Sequence, residues 1–100
     1  MEIEKTTNGE TLNAKVSGRI DTTTAPSFEN EIKTSLDNIS ELNIDFSDVE
    51  YISSSGLRAL LVLHKLMNSK PNGTMVLKNV KDVVKEVFEV TGFSEILTIA

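Results

Sequence analysis

The sequence predicts a single α/β domain over residues 1–100, a mixed β-sheet in the order ββαβαβαβ covered by helices. Three observations lead there: short segments in which apolar and polar residues alternate, longer ones in which apolar residues recur at helical spacing, and turn residues that separate the two kinds. One hundred residues give room for one modest core and no second unit.

Taken in order, Ile3 begins a weak alternating segment that ends at Asn8-Gly9, a hairpin-turn dipeptide. Leu12, Ala14 and Val16 then alternate with Asn13, Lys15 and Ser17, so two antiparallel strands are expected. Gly18-Arg19-Ile20-Asp21 closes the second strand, and Thr22, Thr23 and Thr24 are candidate N-caps for a helix with Pro26 in its first turn. Phe28, Ile32, Leu36 and Ile39 recur at helical spacing, which predicts a helix over about 24–38. Leu42, Ile44 and Phe46 mark the third strand. A turn of three serines and a glycine follows, then an apolar helix to about Ser69, where Pro71-Asn72-Gly73 forces a turn. Thr74–Lys78 reads as a strand. Asn79 caps a helix buried through Val80, Val83, Val84 and Val87 and ended by Gly92, and Ile96–Ile99 is a last strand. Parallel strands joined by helical crossovers are right-handed, and such a sheet needs apolar strands for its burial.

Composition narrows the function classes. A hydrophobic fraction of 39% with 25% charged residues is that of an ordered globular protein. No apolar run approaches the roughly 20 residues of a bilayer span, and the N-terminus has no secretion signal, so a cytoplasmic protein is expected. There is no cysteine and one histidine, His64, which argues against disulfides and structural zinc; no metal or cofactor is expected. The net charge of −5 is unevenly spread, with four Lys/Arg against eleven Asp/Glu in residues 1–50 and six against four in residues 51–100. A basic stripe and an aromatic stacking set are both missing, so a protein partner with a basic surface is favoured over nucleic acid.

The informative stretch is Asp45 to Met67. One of Ser53, Ser54 and Ser55 is needed as an N-cap, which leaves a hydroxyl at the positive end of a helix, where a phosphate dianion is favoured. On the helical projection Ala59, Leu60, Val62, Leu63, Leu66 and Met67 share one arc, whereas Leu57 and Leu61 fall among the polar residues. A small exposed apolar patch beside the serines is therefore expected. A hydrolytic reading fares poorly: Ser-Ser-Ser-Gly is not a nucleophile elbow, and His64 lies about 13 Å along the helix from Ser55, too far to serve as its base. His64 reads as a solvated helix residue, and Asp45 and Asp48 as ordinary strand-end and turn carboxylates.

Three pieces together, Gly18-Arg19-Ile20-Asp21, Asp45-Phe46-Ser47 with Val49, and Ile52-Ser53-Ser54-Ser55-Gly56-Leu57, resemble the STAS domain of bacterial anti-sigma factor antagonists. The likeness runs from the first strand to Ala100 and includes Val90-Thr91-Gly92-Phe93. It implies a non-enzymatic partner switch. The unphosphorylated antagonist binds an anti-sigma factor that is also a serine kinase, a sigma factor is released, phosphorylation of the antagonist weakens the complex, and a PP2C-type phosphatase resets it. Carried across, the acceptor is Ser55, with Ser54 as the alternative. The partner surface comprises Asp21, Ser54, Ser55, Gly56, Leu57, Arg58 and Leu61. A STAS regulatory module of another assembly, a lipid-trafficking ABC transporter or a stress-sensing complex, is the alternative function.

Two departures from the family stand out. Ser53 occupies a position usually held by aspartate, and the chain stops soon after the last strand where many members add a helix, leaving surface that a second copy, in a homodimer, would cover.

Overall fold

The computed structural model describes residues 1–100. Strands β1 (Glu2–Asn8) and β2 (Thr11–Ile20) form an antiparallel hairpin closed by Gly9 and Glu10, with Gly9 in the left-handed region at φ 61°. From there the chain alternates: α1 (Ala25–Lys33), β3 (Glu41–Ile52), α2 (Ser54–Asn68), β4 (Thr74–Lys78), α3 (Asp82–Thr91), a 3₁₀ turn at Phe93–Glu95, and β5 (Thr98–Ile99). The sheet order is β1-β2-β3-β4-β5, with β2 to β5 parallel. Each crossover steps the same way along the sheet, so right-handed connections place all three helices on one face.

The residues agree with that placement. Leu12, Ala14, Leu42, Ile44, Met75 and Leu77 lie on the covered side and are buried in one continuous core with Phe28 and Ile32 of α1 and Leu60 and Leu63 of α2. Phe46 meets Phe88 of α3 there, ring centroids 6.3 Å apart. Residues between them, Asn13, Lys15, Asp45 and Lys78, point to the opposite face and are exposed or half-buried. The sheet is therefore covered on one side only. On the open face Asn43 is buried but satisfied, its amide donating to Asn13 Oδ1 and Glu41 Oε2 at 3.1 Å each.

Several expected elements shift. α1 ends at Lys33, five residues early, and Leu36 and Ile39 reach the core from turns. The Leu36 and Ile39 carbonyls are taken up by Lys70 Nζ, so the chain need not stay helical to satisfy them. The β3 strand runs on to Ile52, because register shifts against β2 change its buried spacing to Phe46, Val49, Ile52. The third helix begins at Asp82 with Lys81 as N-cap, while Asn79 takes a left-handed φ of 56°. Its buried face is Val84 and Phe88; Val83 is 56% exposed, contrary to the expected stripe. The last strand contracts to Thr98–Ile99, since Phe93–Glu95 forms the 3₁₀ turn that brings the chain back to β4. Gly92 ends α3 at φ 81°, as its position predicts.

Candidate functional site

The parallel arrangement brings two helix starts together. β2 and β3 run side by side to a last pair, Ile20 opposite Ile52, after which β3 passes through Ser53 into α2 and β2 through residues 21–24 into α1. The Ser53 N–H donates to the Ile20 carbonyl at 2.8 Å, extending the pairing one residue into the turn. The loop after β2 and the serine turn after β3 are thereby fixed next to each other.

The loop after β2 is held by a reciprocal pair of hydrogen bonds. Asp21 Oδ1 accepts from the N–H groups of Thr23 and Thr24, at 3.0 Å each, while the Asp21 N–H donates to Thr24 Oγ1 at 2.9 Å. This is the capping-box geometry with a carboxylate at the head. Thr24 Oγ1 donates in turn to the Arg19 carbonyl at 2.7 Å, so Thr24, the residue before α1, gives no side-chain cap to the helix itself. The Thr24 N–H bond is the main influence holding the Asp21 carboxyl below its ordinary value; partial burial opposes it, and the Thr23 N–H, the Thr24 hydroxyl and Arg19 add to the lowering. Arg19 lies 3.8 Å from Asp21 Oδ2 and stacks 4.0 Å from the ring centre of Tyr51, its cross-strand partner.

The serine turn is built differently. Ser53 is the N-cap, its Oγ accepting from Gly56 N–H at 3.4 Å, near the limit for such a bond. Ser54 is exposed at the first helical position. Ser55 is half-buried, and its hydroxyl donates to Thr22 Oγ1 at 3.4 Å. A separation that long for two hydroxyls leaves the Ser55 oxygen weakly held. Gly56 is buried because the first turn of α2 presses onto the strand ends: a Cβ there would lie 2.6 Å from Ile52 Cγ1 and 2.8 Å from Ile20 Cγ2.

That close approach also corrects the apolar patch. Leu57, expected on the surface, is 6% exposed and part of the core, because Gly56 lets the start of α2 sit down on the sheet and carries Leu57 in with it. Leu61 is half-buried, Arg58 is exposed, and Val62 and Leu66, expected inside, are half-buried. The surface around Ser55 is thus mixed in character, a groove of 350 Å³ lined by Thr22, Ala25, Pro26, Glu29, Ser55 and Arg58. Thr22 is the residue that reading the sequence did not single out. Its partner is 33 positions away, and only the parallel pairing of β2 with β3 could have pointed to it.

The other polar residues singled out in the sequence, none of them read as a site residue, sit elsewhere. His64 pairs through Nε2 with Asn68 Nδ2 at 3.1 Å, one turn further along α2. Asp45 and Asp48 lie within β3. Burial acts to raise the Asp45 carboxyl, and the Ser47 N–H and hydroxyl, the Asn79 amide and Lys15 outweigh it, so the net shift is downward. Asp45 ties β3 to the end of β4, and Asp48 lies 3.5 Å from Lys15. No group of acidic and histidine side chains has the spacing to hold a metal ion. No helix is long and apolar enough to cross a membrane.

A family model described as the STAS domain matches residues 2–100. The chain belongs to the STAS domain family. This STAS domain is 33% identical to BtrV of Bordetella bronchiseptica, a candidate anti-sigma factor antagonist, over 89% of this chain and 77% of that one. It is 26% identical to the anti-sigma-B factor antagonist of Bacillus subtilis over 93% of this chain and 84% of the relative. In structure it is similar to the anti-sigma factor antagonist SpoIIAA in its unphosphorylated form (TM-score 0.76, 17% identity, 99% of this chain and 87% of that one). The likeness to the phosphorylated form of SpoIIAA from Bacillus is equivalent (TM-score 0.75, 18% identity, 99% and 91%). At these identities the structural likeness establishes the shared fold.

Proposed function

We propose that this STAS domain is an anti-sigma factor antagonist. It binds an anti-sigma factor with serine kinase activity while unphosphorylated, so that a sigma factor is released, and it is switched off by phosphorylation of Ser55. The observation that carries the reading is the Ser55 hydroxyl, loosely held at the start of α2 beside Thr22, in a chain whose curated relatives are named as antagonists. Those names favour this reading over a STAS module of a transporter or stress-sensing assembly. Neither the site nor the relatives call for chemistry by this chain; its part is to be bound and modified.

The switch follows from charge. Transfer of the ATP γ-phosphoryl group forms an O–P bond at Ser55 Oγ, breaks the bond to the β-phosphate, and releases ADP and the hydroxyl proton. The kinase supplies ATP and magnesium, and a PP2C-type phosphatase returns the hydroxyl by hydrolysis, releasing inorganic phosphate. The phosphate adds about −1.5 to −2 charges and three acceptor oxygens. Ser54, Ser55, Arg58 and the half-buried Leu61, together with the loop carrying Asp21, form the contact surface, while Gly56 and the buried Leu57 set its shape from beneath. A contact that dehydrates this surface cannot take up an uncompensated dianion without a large desolvation cost. Partner and antagonist would meet in the bacterial cytoplasm.

The test is a binding measurement with the cognate kinase. Ser55→Asp weakens the complex at least tenfold, and Ser55→Ala binds like the unmodified protein but ignores ATP. Incubation with kinase and ATP that adds no mass at Ser55 sinks the assignment, and mass added at Ser54 instead moves the acceptor by one residue.

A further inference from the structure

The groove beside Ser55 holds a cation that has no partner. Arg58 lies three residues beyond Ser55 on α2, a spacing that places the two side chains next to each other on the helix surface. Both line the same groove, together with Thr22 and Glu29 from the α1 side. Arg58 is exposed and takes part in none of the ion pairs of the molecule. The one carboxylate in the groove, Glu29, is engaged 3.4 Å from Lys33, one turn further along α1. Ahead of Thr22, Asp21 faces Arg19 of β2 at 3.8 Å. Arg58 is therefore a guanidinium beside an acceptor hydroxyl with nothing of opposite charge committed to it.

We propose that Arg58 and Thr22 form a cradle for the phosphate once Ser55 is modified, with Arg58 pairing to the phosphate oxygens and the Thr22 hydroxyl donating to them from across the groove. The inference deepens the proposed switch and rests on it for its use in the cell. In the unmodified protein Thr22 accepts from Ser55. After esterification Ser55 has no proton to give, and Thr22 becomes the donor. The guanidinium fork suits a phosphate better than a lysine would, because it offers two parallel N–H groups. The modified side chain is then drawn along the groove toward α1 and away from Ser54. One consequence is a local exchange of partners in which Arg58, free to contact the kinase in the unmodified state, is withdrawn in the modified one. Loss of binding on phosphorylation then has two sources, the added charge and the removal of a cation from the contact surface.

The experiment uses the full chain with phosphoserine incorporated at position 55 during translation, so no kinase is needed. Phosphorus NMR follows the second ionisation of the phosphate, ordinarily near pH 6. The guanidinium favours the dianion, so Arg58→Ala raises the titration midpoint by about 0.5 in pH at low salt, a value scaled down from buried pairs for the exposure of this one. Arg58→Lys restores part of the difference, Thr22→Val moves the midpoint up by less, and Glu29→Gln moves it down. High salt collapses the Arg58 effect, as screening requires. Amide spectra of the unmodified variants report that the fold is kept. A midpoint in Arg58→Ala equal to that of the parent at low salt overturns the cradle. Absence of kinase-catalysed modification at Ser55 would instead defeat the switch and leave this titration unaffected, so the two failures are distinguishable.

Discussion

The two helices that start at the same end of the sheet begin in opposite ways. Before α1, Asp21 and Thr24 satisfy each other, with three N–H groups and a carboxylate locked in bonds of 2.9 to 3.0 Å. At α2, a single serine cap reaches Gly56 N–H at 3.4 Å, Ser54 is free on the surface, and the Ser55 hydroxyl has Thr22 as its one hydrogen-bond partner. One start is closed and charge-satisfied; the other is open. What holds the open start in place is packing, the glycine pressed between Ile20 and Ile52. The difference teaches how the hydroxyl of Ser55, the proposed acceptor, can be kept available without loosening the fold. The hydroxyl is excused from structural duty because a buried glycine beneath and a rigid loop alongside perform it.

The most direct way to break the comparison is at Gly56. Gly56→Ala places a methyl within 2.6 Å of Ile52, 2.8 Å of Ile20 and 3.0 Å of the Ile20 carbonyl. Both isoleucines are stiff at χ1 and the third atom is backbone, so the start of α2 has to lift. Overpacking costs about 1–3 kcal/mol; three contacts this short, one of them to backbone, put Gly56→Ala toward the upper end, so the ~1 kcal/mol gained from alanine's helix propensity offsets only part of it. Chemical denaturation reads the loss directly. A variant as stable as the parent would mean that packing does not hold this turn.

A smaller loss is expected at the closed start. Asp21→Asn keeps an acceptor oxygen but removes the charge to which the Thr23 and Thr24 N–H groups point. The folded-state carboxyl is lowered, chiefly by the Thr24 N–H bond. The ionised form is therefore the one that stabilises, above the unfolded value near 3.9. That contribution is complete at neutral pH and is lost as pH falls through the still lower folded value. Thermal midpoints of parent and Asp21→Asn should differ at pH 7 and draw together as pH falls below the unfolded value. A gap that stays constant as pH falls from 7 through the acid range would show that the loop depends on shape and not on the carboxylate charge. Asp45 is also lowered, but it is common to both proteins and cancels in the difference.

How much of this was legible in the sequence depended on whether local pattern or long-range pairing set the structure. Alternation exposed β2 and the first half of β3, because Leu12, Ala14, Leu42 and Ile44 face the core at period two. The second half of β3 was hidden, since the register shifts turn its period to three. Leu36 and Ile39 kept helical spacing after the helix had ended, and the Lys70 bonds that allow this come from 31 and 34 positions away. At the site, the serine cap and the glycine could be read from a short motif that also holds Ser55, the proposed acceptor. Leu57 was misplaced because helical projection carries no information about how close one end of a helix sits to the sheet. Thr22 was missed because three threonines in a row look interchangeable until the capping pair takes Thr24 and points Thr22 at Ser55.

The finest test of the comparison is the serine cap itself. At 3.4 Å, Ser53 satisfies Gly56 N–H poorly, so Ser53→Ala should cost about 0.5 kcal/mol, the low end for an N-cap. Ser53→Asp would supply a charge-assisted bond to the same N–H and a favourable interaction with the helix start, together stabilising by up to about 1 kcal/mol. It would close the open start in the manner of Asp21, and it would also place a negative charge two residues before Ser55. In that variant the phosphoserine at position 55 should titrate at higher pH than in the parent, opposing the effect of Arg58. A loss above about 1.5 kcal/mol in Ser53→Ala, well beyond what a bond this long can supply, would show that the cap carries the start of α2. The contrast between a hydrogen-bonded α1 and a packed α2 would then fail.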